Sequence, residues 1–194
     1  MGLDMYLSAK RSFYNMNYMK KADKYEELHK REIRINEGIR KLLPEMFKTG
    51  NLDYVRIEFE VGYWRKANQI HKWFVDNCQD GVDDCKEYYV DRDKLKELKQ
   101  LCEDVIKQSK LIDGAVLNGY TFDGQGNKVH HTEKGKIVKN TDTAQTLLPT
   151  TSGFFFGGTE YDEYYIEELK ETIKIIDKCL KLPEEWEFCY CSSW

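Results

Sequence analysis

No stretch of this 194-residue sequence approaches the roughly 18 consecutive apolar residues that suggest a membrane-spanning helix. The opening segment MGLDMYLSAK has no charged region followed by an apolar one, so no secretory signal is expected. A myristoylation reading of Met1-Gly2 is undercut by Tyr6, where Ser or Thr belongs. Basic residues are in deficit, with 30 Lys and Arg against 34 Asp and Glu and a net charge of −4. A protein that neutralises phosphates regardless of sequence carries the opposite excess, so general DNA or RNA binding is not expected. The six cysteines, at 78, 85, 102, 179, 189 and 191, include no C-x-x-C pair. With no export signal, this argues for reduced thiols in a cytosol rather than a disulfide framework. Also missing are the G-x-S-x-G, H-E-x-x-H, Walker, dinucleotide and EF-hand spacings, and no internal repeat is visible.

Aromatic residues, by contrast, are plentiful: 13 Tyr, 9 Phe and 4 Trp make up 13% of the chain. Such side chains bring large contact area, and Tyr and Trp add a polar tip. They suit a core, a flat ligand or a protein partner.

Hydrophobic periodicity outlines the elements. Residues 2–9 alternate as a strand with Leu3, Met5 and Leu7 on one face, and residues 53–61 as a half-buried strand with Val55, Ile57, Phe59 and Val61 inward. A short polar helix is expected over 19–30. Residues 31–47 read equally as strand or helix, with Gly38 and Pro44 weakening a long helix. A helix is expected to follow Gly62 and to end near Cys78. The short segment EYYV reads as a strand. Residues 91–108 form an amphipathic helix capped by Asp91, with Leu95, Leu98, Cys102, Val105 and Ile106 as its stripe. From 112 to 142 the chain turns polar and glycine-rich, like a protruding hairpin insertion around a Gly-Asn turn. LLPTTSGFFFGG reads as a loop and a short buried strand, followed by a helix from a Thr159–Asp162 capping box to Pro183 and a last strand EWEFCYC. The expected fold is a single α+β domain over 1–194, with amphipathic helices on one face of a mostly antiparallel sheet.

The segment VGYWRKANQIHKWFVDN, 61–77, is the densest in candidate groups. On a helical wheel Ala67, Ile70, Phe74 and Cys78 form an apolar stripe, and Trp64, Asn68 and His71 make a row along it. Arg65, Gln69, Lys72 and Asp76 face elsewhere, with Trp73 on the far flank. Polar groups at such an edge need partners, so His71 is either bonded to a neighbouring element or faces a cleft walled by Tyr63, Trp64 and the phenylalanines from Phe154 to Phe156. Asp83 and Asp84, in the loop DGVDDC, are candidates to orient His71. That loop reads as solvated rather than as a metal site. Negative charge at Glu160, Asp162 and Glu163 argues against a phosphate at SGFFFGG. His130 and His131 point apart on a strand and are expected at the surface. Cys189 and Cys191 lack the further ligands a zinc site requires.

Several segments, MGLDMYL, VGYWRKANQIHKWFVDN, DGVDDCKEYYV, LLPTTSGFFFGGTEYDEYY and the closing SSW, together resemble a family of uncharacterised proteins encoded by bacteriophages and prophages. The resemblance covers roughly 1–8, 61–105 and 147–194, and brings no catalytic residue with it. It implies an accessory protein in the host cell cytoplasm that acts by binding. The expected partner is a host bacterial defence protein or a nucleotide-like signal. The side chains read above as a site would stack it on Tyr63 and Trp64 and hydrogen-bond it through Asn68 and His71, with Asp83, Asp84 and Phe154 nearby. The alternative is a small hydrolase with His71 as general base and a loop carboxylate behind it. No cofactor is specified and no metal is expected.

Overall fold

A computed structural model describes residues 2–14, 26–46, 54–153 and 155–194. The chain divides into two compact units, Lys10–Phe59 and a larger one made of Met1–Ala9 and Glu60–Trp194. Among the described residues, five helices and six strands make a mixed α+β fold with antiparallel sheets.

Strand β1, Asp4–Tyr14, follows the alternation read from the sequence, extended by five residues beyond the segment that showed it. Leu3, Met5, Leu7 and Ala9 are fully buried, and the residues between them are only partly covered. In the smaller unit, the stretch that read equally as strand or helix is helical: α1 spans Glu26–Leu42 and passes straight through Gly38. The expected polar helix from residue 19 lies outside the described residues up to 25.

Strand β2, Tyr54–Arg65, runs past the point where a helix was expected to begin. Gly62 and Trp64 are buried while Tyr63 and Arg65 are exposed, so the period stays at two. Gly62 is required there, because a Cβ would sit 2.4 Å from Ile175 Cγ2. The break comes at Lys66, in the left-handed region at φ 65, and helix α2 occupies Asn68–Cys78. Ala67, Ile70 and Phe74 are buried as the expected stripe, but the buried face of the helix is wider than that stripe. Gln69 and Trp73, placed outward by the sequence reading, are 2% and 5% exposed.

Strand β3, Tyr88–Val90, pairs antiparallel with the last strand β6, Glu187–Ser193, with Tyr88 opposite Tyr190. The four-stranded sheet has the order β2-β1-β6-β3. Helix α2 meets β6 through Phe74 and Tyr190, whose rings stack at 4.0 Å. Helix α3, Arg92–Gln108, matches its expected form: Asp91 accepts from Asp93 N–H at 2.7 Å, and Leu95, Leu98, Cys102 and Val105 are fully buried.

The insertion is a two-stranded hairpin of β4, Leu111–Phe122, and β5, Lys128–Val138. Asp123 organises its turn by accepting from the N–H groups of Gln125 and Asn127 at 2.9 and 2.8 Å. A short helix α4, Asp142–Leu147, follows. The expected buried strand in SGFFFGG does not form. Among the described residues from 148 to 161 there is no helix or strand, and Phe155 is 51% exposed at φ 63. Helix α5, Glu163–Leu180, packs against α3. Its cap is Asp162 rather than Thr159, because the Asp162 carboxylate accepts from Tyr164 and Tyr165 N–H. No helix of the described residues is long and apolar enough to cross a membrane.

Candidate functional site

His71, 1% exposed on α2, has both ring nitrogens occupied. Nδ1 lies 2.9 Å from the Tyr190 hydroxyl and Nε2 lies 3.0 Å from Asp83 Oδ2. The other Asp83 oxygen accepts the Trp194 indole N–H at 3.0 Å. Burial pushes the Tyr190 hydroxyl well above its ordinary pKa, so it stays protonated. Phe156 closes over the imidazole, edge to face at 5.2 Å.

Asn68, 2% exposed, is equally spent. Its amide donates to the carbonyls of Phe156 and Gly158 at 3.2 and 2.7 Å, and its oxygen accepts from Thr151 N–H at 2.9 Å. These bonds replace the pairing that a strand would have provided to the loop around 151–158. The Trp64 indole donates to Thr172 Oγ1 at 2.9 Å. Trp64 is a strand residue, so it does not belong to the helical row with Asn68 and His71. Tyr63 is exposed and donates to Asp4 at 2.5 Å, where Arg65 also pairs at 3.3 Å. Asp84 is held low in pKa, first by its hydrogen bond to Lys86, and also accepts from the Tyr88 hydroxyl at 3.1 Å. Phe154 lies outside the described residues. The expected constellation is therefore dispersed: His71 and Asp83 are brought together, whereas Trp64, Tyr63 and Asp84 each have other partners.

An open cleft of about 680 Å³ lies elsewhere in the larger unit. Arg65 and Lys66 border it from the end of β2, Gln69 from α2, and Tyr120, Lys128 and His130 from the hairpin. The 150–160 loop and the first turns of α5 complete it. Of the groups proposed from the sequence, the walls Phe155 and Phe156 are on this lining, whereas Tyr63, Trp64, Asn68, His71, Asp83 and Asp84 are not. Phe156 borders both the cleft and His71.

At the cleft the Gln69 amide donates to Glu168 Oε2 at 2.7 Å. Burial raises the Glu168 carboxyl to about 7. The Gln69 bond pulls the other way, and the charge of Asp162 pushes it further up. Asp162 is also raised, mainly by burial, against the lowering effect of its two backbone N–H bonds. Among the described residues, no lysine or arginine forms an ion pair with Glu160, Asp162 or Glu168. Exposed aromatic faces come from Tyr120, Phe155 and Tyr164. Lys128 Nζ rests 4.5 Å above the Tyr120 ring. Two cleft residues that are not glycine, Lys66 and Phe155, hold positive φ, a strained geometry that concentrates at functional sites.

Gln69 and Glu168 were missed from the sequence. Gln69 was turned outward because burial was expected only along the stripe of Ala67, Ile70, Phe74 and Cys78, whereas α2 is covered on a second flank as well. Glu168 had a readable signal, since it lies three residues after Tyr165 and four before Thr172 on the buried stripe of α5. Among the described residues, no group of three His, Cys, Asp or Glu is arranged to hold a metal ion. Comparison of the chain with protein-family models, curated proteins and solved structures yields no match.

Proposed function

We propose that the protein acts by binding, and that the cleft over Gln69 and Glu168 receives a small organic molecule. One observation carries this reading. A half-buried carboxyl lines an open cleft, bonded to a buried amide and, among the described residues, in no ion pair with a lysine or arginine. Desolvating such a group is costly unless something else satisfies it. A concave, aromatic-walled pocket with a few polar groups and a displaced pKa has the character of a ligand site. The resemblance to phage-encoded proteins supports a setting in the cytoplasm of an infected bacterium. The bound molecule would there be a host compound, with removal of a defence signal as the use to test first.

The hydrolase reading needed His71 as a base, and that imidazole offers no unoccupied nitrogen to a substrate. A second reading moves acid–base chemistry to Glu168, because a carboxyl near 7 can both give and take a proton at neutral pH.

Native mass spectrometry of protein purified from bacterial cells tests the binding reading. A small molecule in one-to-one ratio is expected, and it is lost when the exposed walls are removed by Tyr120→Ala with Tyr164→Ala. If no compound accompanies the protein, and none in a metabolite panel raises its melting temperature, the reading falls. Turnover of the bound compound that depends on Glu168 would favour the catalytic one.

A further inference from the structure

We infer that the cleft takes an organic cation, an ammonium or guanidinium group carried on a small molecule, with the Gln69 carbonyl oxygen and the carboxylates of Glu168 and Asp162 as acceptors. This rests on the reading of the cleft as a ligand site and specifies its chemistry.

The acceptors are unspent. Gln69 is 2% exposed and gives its N–H to Glu168, yet its side-chain oxygen has no partner among the described residues. Glu168 uses Oε2 for Gln69 and leaves Oε1 without one. Asp162 takes both backbone N–H groups on Oδ1, leaving Oδ2. The three residues come from α2, the start of α5 and its second turn, and all line the same cleft. Their complement is a group with several N–H donors and a positive charge. The aromatic faces of Tyr120, Tyr164 and Phe155 suit a cation as well.

Positive residues also border the cleft, and depth decides between the two signs. Arg65 is exposed and paired with Asp4, Lys128 rests on Tyr120, and Lys66 is exposed to solvent. Exposed charges interact weakly through water. Glu168 and Gln69 are withdrawn from it, so their interactions with a ligand are stronger. An anion would have to lie against Glu160, Asp162 and Glu168.

The sign of the ligand also sets the pH response. Glu168 shares the cleft with Asp162 at the cap of its helix, Gln69 on α2, Lys128 and His130 on the hairpin, Arg65 and Lys66 at the end of β2, and Glu160 in the loop. Ionisation of Glu168 as pH rises from 6 to 8 strengthens the hold on a cation and weakens it on an anion.

The test is calorimetric titration of the full chain at pH 6 and pH 8 with agmatine, spermidine, AMP and inorganic phosphate. We expect saturable one-site binding of agmatine or spermidine, several-fold tighter at pH 8. It should weaken by about tenfold or more in both Glu168→Gln and Gln69→Leu, the loss expected of a charge-assisted hydrogen bond. Circular dichroism melts establish that each variant is folded. If Gln69→Leu does not fold, the isosteric Glu168→Gln decides alone. Binding of AMP or phosphate without the amines overturns the cation assignment and keeps the cleft as a ligand site. Amine binding that ignores both substitutions also overturns it, as charge association at the surface. No binding by any probe at millimolar concentration, with no co-purified compound, overturns both readings.

Discussion

Gln69 and Glu168 lie 99 residues apart in the chain, and their side chains meet at 2.7 Å on the lining of the cleft. The bond joins α2 to α5 and leaves a carboxyl that ionises near neutrality. This has a consequence for stability that does not depend on any ligand.

The unfolded chain ionises Glu168 near 4.5, whereas the folded protein holds the proton to about 7. The folded state therefore binds more protons between these values, and stability falls as pH rises through that window before levelling off. Glu168→Gln keeps the shape and removes the charge. We expect the variant to be more stable than the parent at pH 8, by up to about 3 kcal/mol, the ceiling set by the displaced pKa. The advantage should fade by pH 4.5. Urea unfolding of both proteins across this range measures it, and parallel curves would contradict a buried carboxyl.

His71→Ala removes the centre of a buried network and leaves Asp83 and the Tyr190 hydroxyl without their shared partner. Cavity and unsatisfied-group costs together predict a loss of about 2–5 kcal/mol. Stabilising solutes that restore folding should also restore ligand binding in the cleft. A well-folded His71→Ala protein that no longer binds would return His71 to the functional site.

Asn68→Ala breaks three hydrogen bonds to the 151–158 loop. The expected cost is about 2–3 kcal/mol, since the freed backbone groups are partly buried. Hydrogen exchange should accelerate first at Thr151 N–H, the donor to Asn68. Uniform acceleration across the protein would mean that Asn68 supports the whole fold rather than this loop.

The cysteines should separate by reactivity. Burial raises the thiols of Cys78 and Cys179 to about 11 and that of Cys102 to about 12, so little thiolate exists at pH 8. Cys85 is exposed. Labelling with iodoacetamide, read by peptide mass spectrometry, should modify Cys85 first and Cys102 only after unfolding. Early modification of Cys102 would contradict its place between α3 and the core.

Gly62→Ala would put a methyl group 2.4 Å from Ile175 Cγ2. Overpacking of this kind costs about 1–3 kcal/mol, visible as a lowered melting temperature. On an Ile175→Ala background, which lacks that methyl group, the added cost of Gly62→Ala should be smaller.

Much of the fold was legible in local patterns. The alternation at Leu3, Met5 and Leu7 made β1, and the stripe Leu95, Leu98, Cys102 and Val105 made α3, because burial of one face imposes its period on the sequence. The hairpin was legible through its glycines, and Asp83 was already a candidate partner for His71. Three features were not legible. The strand-to-helix break at Lys66 is a single left-handed residue, which leaves no periodic trace. The SGFFFGG segment has the composition of a buried strand, yet the carbonyls of Phe156 and Gly158 are taken by Asn68 from another element. The cleft owes its character to Gln69 and Glu168.

By itself, then, the sequence determined which residues leave water and with what period, and so the elements and the α+β class. Only the tertiary structure decided which polar groups were satisfied inside the protein and which were left facing the cleft. A residue's neighbours along the chain set its helix or strand face. The partner that uses up its hydrogen bonds comes from far along the chain, as Tyr190 does for His71, and nothing in the local pattern records that pairing.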